Sequence, residues 1–199
     1  NEADEAATYG RVPGDSKYED LNNDGAIGGD DYQIIGSAIP TTLFGWNNTF
    51  NYKNFTLNVF FQSMMGYEKW NFSYATAIMA NADAREVTHV DIKDRWVAGS
   101  NEDTDIPAFS QSDVSEIQSS RFIESGDFIR LKNISLTYNL PNDLIPGINA
   151  SFMVGANNLW TITNYGGIDP ESYSNVGPED ARGADAGAYP NAKTWTFGV

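Results

Sequence analysis

Between Asn133 and Leu140 the chain alternates without exception. Asn133, Ser135, Thr137 and Asn139 fall on one side, and Ile134, Leu136, Tyr138 and Leu140 on the other. A side-chain period of two sends successive residues to opposite faces of an extended backbone, so 127–140 (DFIRLKNISLTYNL) is predicted as a strand with one apolar and one polar face. The same pattern recurs over 41–53, where Phe44, Trp46, Phe50 and Tyr52 share a face interrupted by Asn48. It recurs over 55–66, where Phe55, Leu57, Val59, Phe61 and Met65 oppose Thr56, Asn58 and Gln62, with Phe60 as the exception. In 149–163, Ala150, Phe152, Val154, Ala156, Trp160 and Ile162 face one way, and in 191–199 Trp195, Phe197 and Val199 do. Arg130 and Lys132 continue the outward, apolar face of 127–140.

The connections alternate in length. Lys53-Asn54 is a tight turn that makes 41–66 an antiparallel hairpin. The excursion 67–126 is far longer than a hairpin loop, 142–148 is compact again, and 164–190 is long and rich in Gly, Asp and Pro. Within the first excursion, 82–97 (ADAREVTHVDIKDRWV) is predicted helical, with Val87, Val90 and Trp96 on one side. The opening 1–40 reads as loop.

Composition narrows the class without naming it. Net charge is −15, from 12 basic and 27 acidic residues, which argues against nucleic-acid binding. The absence of cysteine excludes disulfides and thiolate metal sites. No apolar run approaches the ~20 residues of a membrane helix, a test to which β-barrels are blind. The chain starts at Asn1 without a basic leader and stops at Val199 inside a strand pattern, so it is expected to be a fragment.

The sharpest chemical motif is DLNNDGAIGGDD, residues 20–31. Asp20, Asn22 and Asp24 stand at the first, third and fifth positions, Gly25 at the sixth, Ala26 at the seventh and Asp31 at the twelfth. This is the oxygen-ligand spacing of an EF-hand-type loop: side-chain oxygens and the Ala26 carbonyl curl around one hard cation, and the glycine permits the sharp turn. Asp31 replaces the bidentate Glu of an EF-hand, as in dockerin-like loops, and no long amphipathic helix flanks the motif. Structural Ca²⁺ is therefore expected, bracing a loop. The alternative is a solvated acidic turn. His89, the sole histidine, has no sequence partner and reads as a surface residue. No nucleophile, base and orienting group come together, so no catalytic residues are assigned and an enzyme is not expected.

Two architectures fit the strands. A transmembrane barrel has short turns on one rim and long loops on the other, strands of ~9–11 residues, and aromatics at the strand ends. Tyr52, Phe55, Tyr138, Trp160 and Trp195 suit that last requirement. A secreted, calcium-braced β-sandwich, acting as a carbohydrate-binding or adhesin module, shares the alternation but has shorter, more even loops.

YEDLNNDGAIGGDDYQIIGSAIP, FGWNNTFNYKNFTLNVFFQ, SSRFIESGDFIRLKNISLTYNLP, FMVGANNLWTITNYGGIDPE and GAYPNAKTWTFGV occur in an order and at spacings that resemble the C-terminal barrel of SusC/RagA-type TonB-dependent transporters. The resemblance covers roughly residues 14–199. It implies an all-β, antiparallel fold: the last five strands of a plugged outer-membrane barrel of roughly 22 strands. Loops 67–126 and 164–190 and the calcium motif would lie outside the cell, and turns 53–54 and 142–148 in the periplasm. It implies an outer membrane of a Gram-negative, Bacteroidetes-like cell, a SusD-like surface lipoprotein as lid, TonB acting through a plug not contained here, and an oligosaccharide or peptide as cargo. Tyr67, Trp70, Tyr74 and Tyr173 are the candidate solute contacts, because flat rings in the outer loops stack on sugars and peptides.

Overall fold

The computed structural model describes residues 4, 7–78, 88–108, 119–141, 144, 147–174 and 183–199. In chain order the elements are β1 (Thr42–Tyr52), β2 (Phe55–Met65), β3 (Glu68–Trp70), α1 (Phe72–Ile78), β4 (Ile123–Ser125), β5 (Phe128–Asn139), β6 (Ser151–Thr163) and β7 (Thr194–Gly198). β1, β2, β5, β6 and β7 form one antiparallel five-stranded sheet in that order, and β3 and β4 form a separate two-stranded sheet. Each strand of the large sheet pairs with the next large strand along the chain, so the only topology in it is up and down. The strand ends Tyr52, Phe55, Asn139 and Ser151 lie at one rim, where Gly198 also lies opposite Met153, and the strands run to their long excursions at the other.

Contacts divide the chain into two units: Asn1–Gly36 with Phe72–Phe122, and Ser37–Asn71 with Ile123–Val199. All seven strands belong to the second unit. In the first, Ala75, Ile78 and Phe122 are buried. There the Trp96 N–H donates to the Ile106 carbonyl (2.8 Å) and the Ala108 N–H to that of Gly14 (2.7 Å). The helix expected over 82–97 is not what its described part forms; residues 82–87 lie outside the described residues. Val90–Asp94 is a short 3-10 turn, capped by His89, whose ring accepts from the Asp91 N–H. Arg95 is already extended, and Val97 pairs with Asn101. The local side-chain-to-backbone bond at His89 offers the chain an alternative to continuing a helix.

The register explains both faces of the sheet. Opposite partners lie on the same face, so Trp46–Phe61, Phe50–Leu57, Tyr52–Phe55–Tyr138–Phe152, Leu57–Leu136–Val154 and Ala156–Trp195 join into one apolar surface. Small Ala156 lies beside Trp195 and is buried. On the polar face Thr49 donates to Asn58 (2.7 Å), Thr56 to Asn51 (2.9 Å) and Asn133 to Asn157 (2.8 Å). Phe60, the exception to the alternation, sits on this polar face against Gly45, where a Cβ would meet its ring at 3.5 Å.

The apolar face packs on nothing among the described residues. Phe44, Trp46, Phe50, Leu136, Phe152, Trp160, Trp195 and Phe197 are all exposed there, Phe197 at 77%. Water-soluble domains rarely leave so large a contiguous apolar patch bare. Apart from Ala156, most buried residues of this unit lie elsewhere, toward the long-loop rim, and many are polar: Lys69, Asn71, Arg130, Asp169 and Asp185.

One expectation about that rim is corrected. Phe60 and Phe61 pair with Asn133 and Leu131, which leaves Lys132 as an extra residue in β5. A bulge of one residue flips every later side chain to the opposite face. Leu131 and Ile129 therefore join the apolar face, and Arg130 lies on the polar face opposite Gln62 and Thr161, not in the apolar row. β6 inserts two residues at the same level, Asn158 and Leu159, and keeps its parity.

Leu136→Arg, in the middle of the apolar face, should impair membrane insertion of the intact protein far more than Ser135→Arg on the polar face. A cation at the centre of a lipid-facing row costs about 2–4 kcal/mol. Equal yields of folded protein in the membrane fraction would contradict the assignment of the faces.

Candidate functional site

The polar face of β5 ends at the long-loop rim in Arg130, which is only 3% exposed. Its Nε donates to Thr161 Oγ1 (2.9 Å), its Nη2 to Asp169 Oδ1 (2.5 Å) and its Nη1 to Glu171 Oε2 (2.6 Å). Lys132, the bulged residue, adds a bond from Nζ to the same Glu171 oxygen (2.7 Å). Asp169, also 3% exposed, accepts from the backbone N–H of Glu171 (2.9 Å) and of Asn191 (2.7 Å). Burial alone would raise the Asp169 carboxyl, but the Arg130 guanidinium and these two N–H groups outweigh it and hold the pKa at about 2. Removing one partner of such a buried pair costs about 3–5 kcal/mol, because the other charge is left stranded.

A second cluster lies on the same side, around the two-stranded sheet. The Trp70 N–H donates to Gly183 O (3.0 Å), and the Asp185 N–H to Trp70 O (2.9 Å), so the 183–185 stretch lines the free edge of β3. Tyr165 donates its hydroxyl to Asp185 Oδ2 (2.7 Å), and burial followed by this bond pushes its pKa up. Glu124 accepts from Asn71 Nδ2 (2.8 Å) and the Gly166 N–H (2.6 Å). Tyr67 donates to Pro170 O (3.0 Å), and burial, then the charges of Asp127, Glu171 and Asp169, raise its pKa to about 12. Its ring lies against Gly126, where a Cβ would come within 2.3 Å of it. Lys69, 2% exposed, directs Nζ at backbone carbonyls of the 165–174 arm.

Beside these clusters opens a cleft of roughly 620 Å³, bordered by Ala38, Pro40, Met64, Tyr67, Glu171 and Tyr173. Its walls are aromatic, proline-rich and hydrogen-bonded in place. The charged groups around it are already engaged, Glu171 by Arg130 and Lys132 and Lys69 by backbone carbonyls, so the arrangement is suited to binding rather than to bond chemistry.

The expected site residues fall in different places. Tyr67 and Tyr173 meet at the cleft, Tyr67 buried in its wall and Tyr173 65% exposed. Trp70 lies in β3 of the same unit. Tyr74 belongs to the other unit, where its hydroxyl donates to Asp91 Oδ2 (2.9 Å) and its ring packs edge-on against His89 and Phe122. In the 20–31 loop, Asp20 accepts from the N–H groups of Asp24 (3.2 Å) and Gly25 (2.9 Å), Asn22 from Asp24 (2.9 Å), and Asp24 from Ala26 (2.8 Å). Asp31 bridges the N–H groups of Leu21 (2.9 Å) and Gly28 (2.7 Å), and the Gly28 bond chiefly lowers its pKa. Asn23 and Gly25 take left-handed backbone conformations that tighten the curl. Among the described residues no three His, Asp or Glu side chains converge as a preformed metal cage. From sequence, Asp169 and Lys69 have no assigned role and Arg130 stands only in the apolar row. The parity switch from Ile129 and Leu131 to Ile134 and Leu136 signals the bulge that turns Arg130 inward.

No family model matches the chain. It is similar to TonB-dependent receptor P3 of Formosa agariphila, 36% identical over 196 residues, covering 94% of this chain and 19% of that protein. It is also similar to TonB-dependent receptor SusC of Bacteroides thetaiotaomicron, 26% identical over 192 residues, 94% of this chain and 17% of that one. Among solved structures, the RagAB peptide importer in its open-open state superposes with a TM-score of 0.70 at 25% identity, covering 90% of this chain and 19% of that chain. The chain thus spans about a fifth of the length of the relatives it matches.

The Asp169 pKa carries a pH prediction. A carboxyl held near 2 rather than at its ordinary 3.8 contributes stability that is fully present above about pH 4 and is lost as pH falls toward 2. Hydroxyl-radical footprinting of the arm should find its buried ring, Tyr165, protected at pH 7 and losing protection only between pH 4 and 2. Asp169→Asn should raise its labelling several-fold already at pH 7. Protection that is lost on raising the pH instead would contradict the pairing.

Proposed function

Because the chain belongs to the SusC/RagA group of TonB-dependent receptors, we propose that it is a stretch of barrel wall from an outer-membrane nutrient importer. In this reading its five long strands are the C-terminal part of a closed barrel of roughly 22 strands. The observation that carries it is the uncovered apolar face of the sheet, backed by a polar face of Asn, Thr and Ser. Lipid would cover the first and a hydrated lumen would wet the second. The outer edges of β1 and β7 have no partner among the described residues, and neighbouring barrel strands would close them. The secreted β-sandwich reading lacks a facing sheet to bury the apolar side, since the second sheet has two three-residue strands.

The short turns would lie in the periplasm and the long excursions outside. A SusD-like lipoprotein would close over the outer rim, TonB would act through a part of the protein that this chain does not contain, and cargo would be an oligosaccharide or a peptide. The RagAB relatives are peptide importers by their description, which weights the second cargo class. Tyr67 and Tyr173 at the cleft and Trp70 in β3 would supply aromatic contacts from their unit, and Tyr74, in the other unit, would supply one of its own. The chain's residues would bind and orient cargo, and no reaction is assigned to them.

Ca²⁺ belongs to the same proposal. Asp20, Asn22, Asp24, the Ala26 carbonyl and Asp31 are hard oxygen donors on a loop already curled by its own backbone bonds, and this chemistry suits calcium. The ion would offset two of the three negative charges of Asp20, Asp24 and Asp31 and stiffen the loop.

Two measurements test these readings. The intact protein should partition into detergent and migrate faster on gels before boiling than after; an intact protein that is soluble in buffer, with no heat-dependent shift, contradicts the barrel. Calorimetry should detect Ca²⁺ binding that weakens at least tenfold, about 1.4 kcal/mol, in Asp24→Ala. Absence of binding in the unmodified protein, or identical binding in the variant, removes the calcium assignment.

A further inference from the structure

Lys69 stands apart from the other cations of its unit. Its ammonium is buried and is not bonded to a carboxylate. Nζ instead donates to Asp169 O (3.2 Å), Pro170 O (3.0 Å) and Ser172 O, three carbonyls from one short arm of chain. The face of the Tyr165 ring covers it at 4.6 Å from the centroid. Converging carbonyls and a π face are the environment of a bound cation. Here the cation is tethered, delivered by β3, which β4 holds on one edge and the 183–185 stretch on the other. The nearby acids, Asp185, Asp169 and Glu124, supply a negative field that offsets part of the burial cost. Three carbonyls turned toward one point would repel one another without a cation between them.

We infer that Lys69 is a positioning residue: its ammonium occupies a carbonyl nest in the 165–174 arm and, with Arg130, holds that arm as a fixed wall of the cleft bordered by Tyr67 and Tyr173. The two cations divide the work. Arg130 grips the arm by its side chains, Asp169 and Glu171, and Lys69 grips it by its backbone. Tyr67 adds a bond to the Pro170 carbonyl that Lys69 also holds. The arm therefore belongs to the rigid part of the outer rim, and any movement that admits cargo takes place elsewhere. The inference rests on the importer reading for its consequence, cargo affinity, but not for the nest itself.

The test uses the intact protein in detergent or nanodiscs. In Lys69→Ala, hydrogen–deuterium exchange of 165–174 should rise about tenfold while the strands keep their protection and the gel shift on boiling is unchanged. Ammonium or methylammonium at tens of millimolar should restore protection, because each can donate hydrogen bonds to the carbonyls. Tetramethylammonium carries the same charge without a donor and should not. Lys69→Met keeps the stem volume and covers the case in which the alanine variant fails to reach the membrane; it should show the same fast exchange. Unchanged exchange in both variants overturns the inference, as does equal rescue by tetramethylammonium, or failure of both variants to insert, since the role assigned is confined to the arm. Loss of the gel shift in the unmodified protein would instead count against the importer reading and leave the exchange result to decide the nest.

Discussion

At Lys132 the strands of the large sheet fall out of step, and the rim beyond depends on it. β5 carries one residue more than β2 at this level, so the face that held Ile134 and Leu136 below the bulge is continued above it by Leu131 and Ile129. Without the extra residue Arg130 would stand among apolar side chains, where a guanidinium is costly. With it, Arg130 reaches Thr161, Asp169 and Glu171 on the polar side. A backbone irregularity thus decides on which side a charge is placed, and a loop folds around that charge.

The unit built this way inverts the usual arrangement of a small domain. Its largest apolar surface is exposed, while at one rim Lys69, Asn71, Arg130, Asp169 and Asp185 are buried among Tyr67, Phe128 and Tyr165 and bonded to one another, to Glu124, to hydroxyls and to backbone carbonyls. In the importer reading lipid would cover the apolar face and no packed core would be needed there, while order in the loops comes from directional bonds. Such networks hold geometry well because each member is satisfied by a specific partner, and each is expensive to leave half made. A cleft walled by Tyr67, Pro170 and Tyr173 inherits that rigidity.

The amino-acid sequence by itself determined the five long strands and, up to the bulge in β5, their two faces, but not β3 and β4. Period-two alternation is a local property, written in residues such as Asn133 to Leu140, and pairing only had to bring like faces together. It also determined the curl of 20–31, since the Asp and Asn side chains that shape it bond to backbone a few residues away. The rim was decided only in three dimensions. Arg130 and Asp169, or Lys69 and Pro170, are far apart along the chain, and no period or spacing links them. The misplaced side of Arg130 shows the boundary between the two. Its neighbours Ile129 and Leu131 carry the parity change in plain view, but a parity change becomes a bulge only when a neighbouring strand fails to supply a matching residue. The helix expected over 82–97 is absent from its described part, 88–97, for a similar reason, because Trp96 and Val97 find backbone partners at Ile106 and Asn101 rather than within their own segment. Local pattern settles which way a side chain can point, and tertiary pairing settles what it meets.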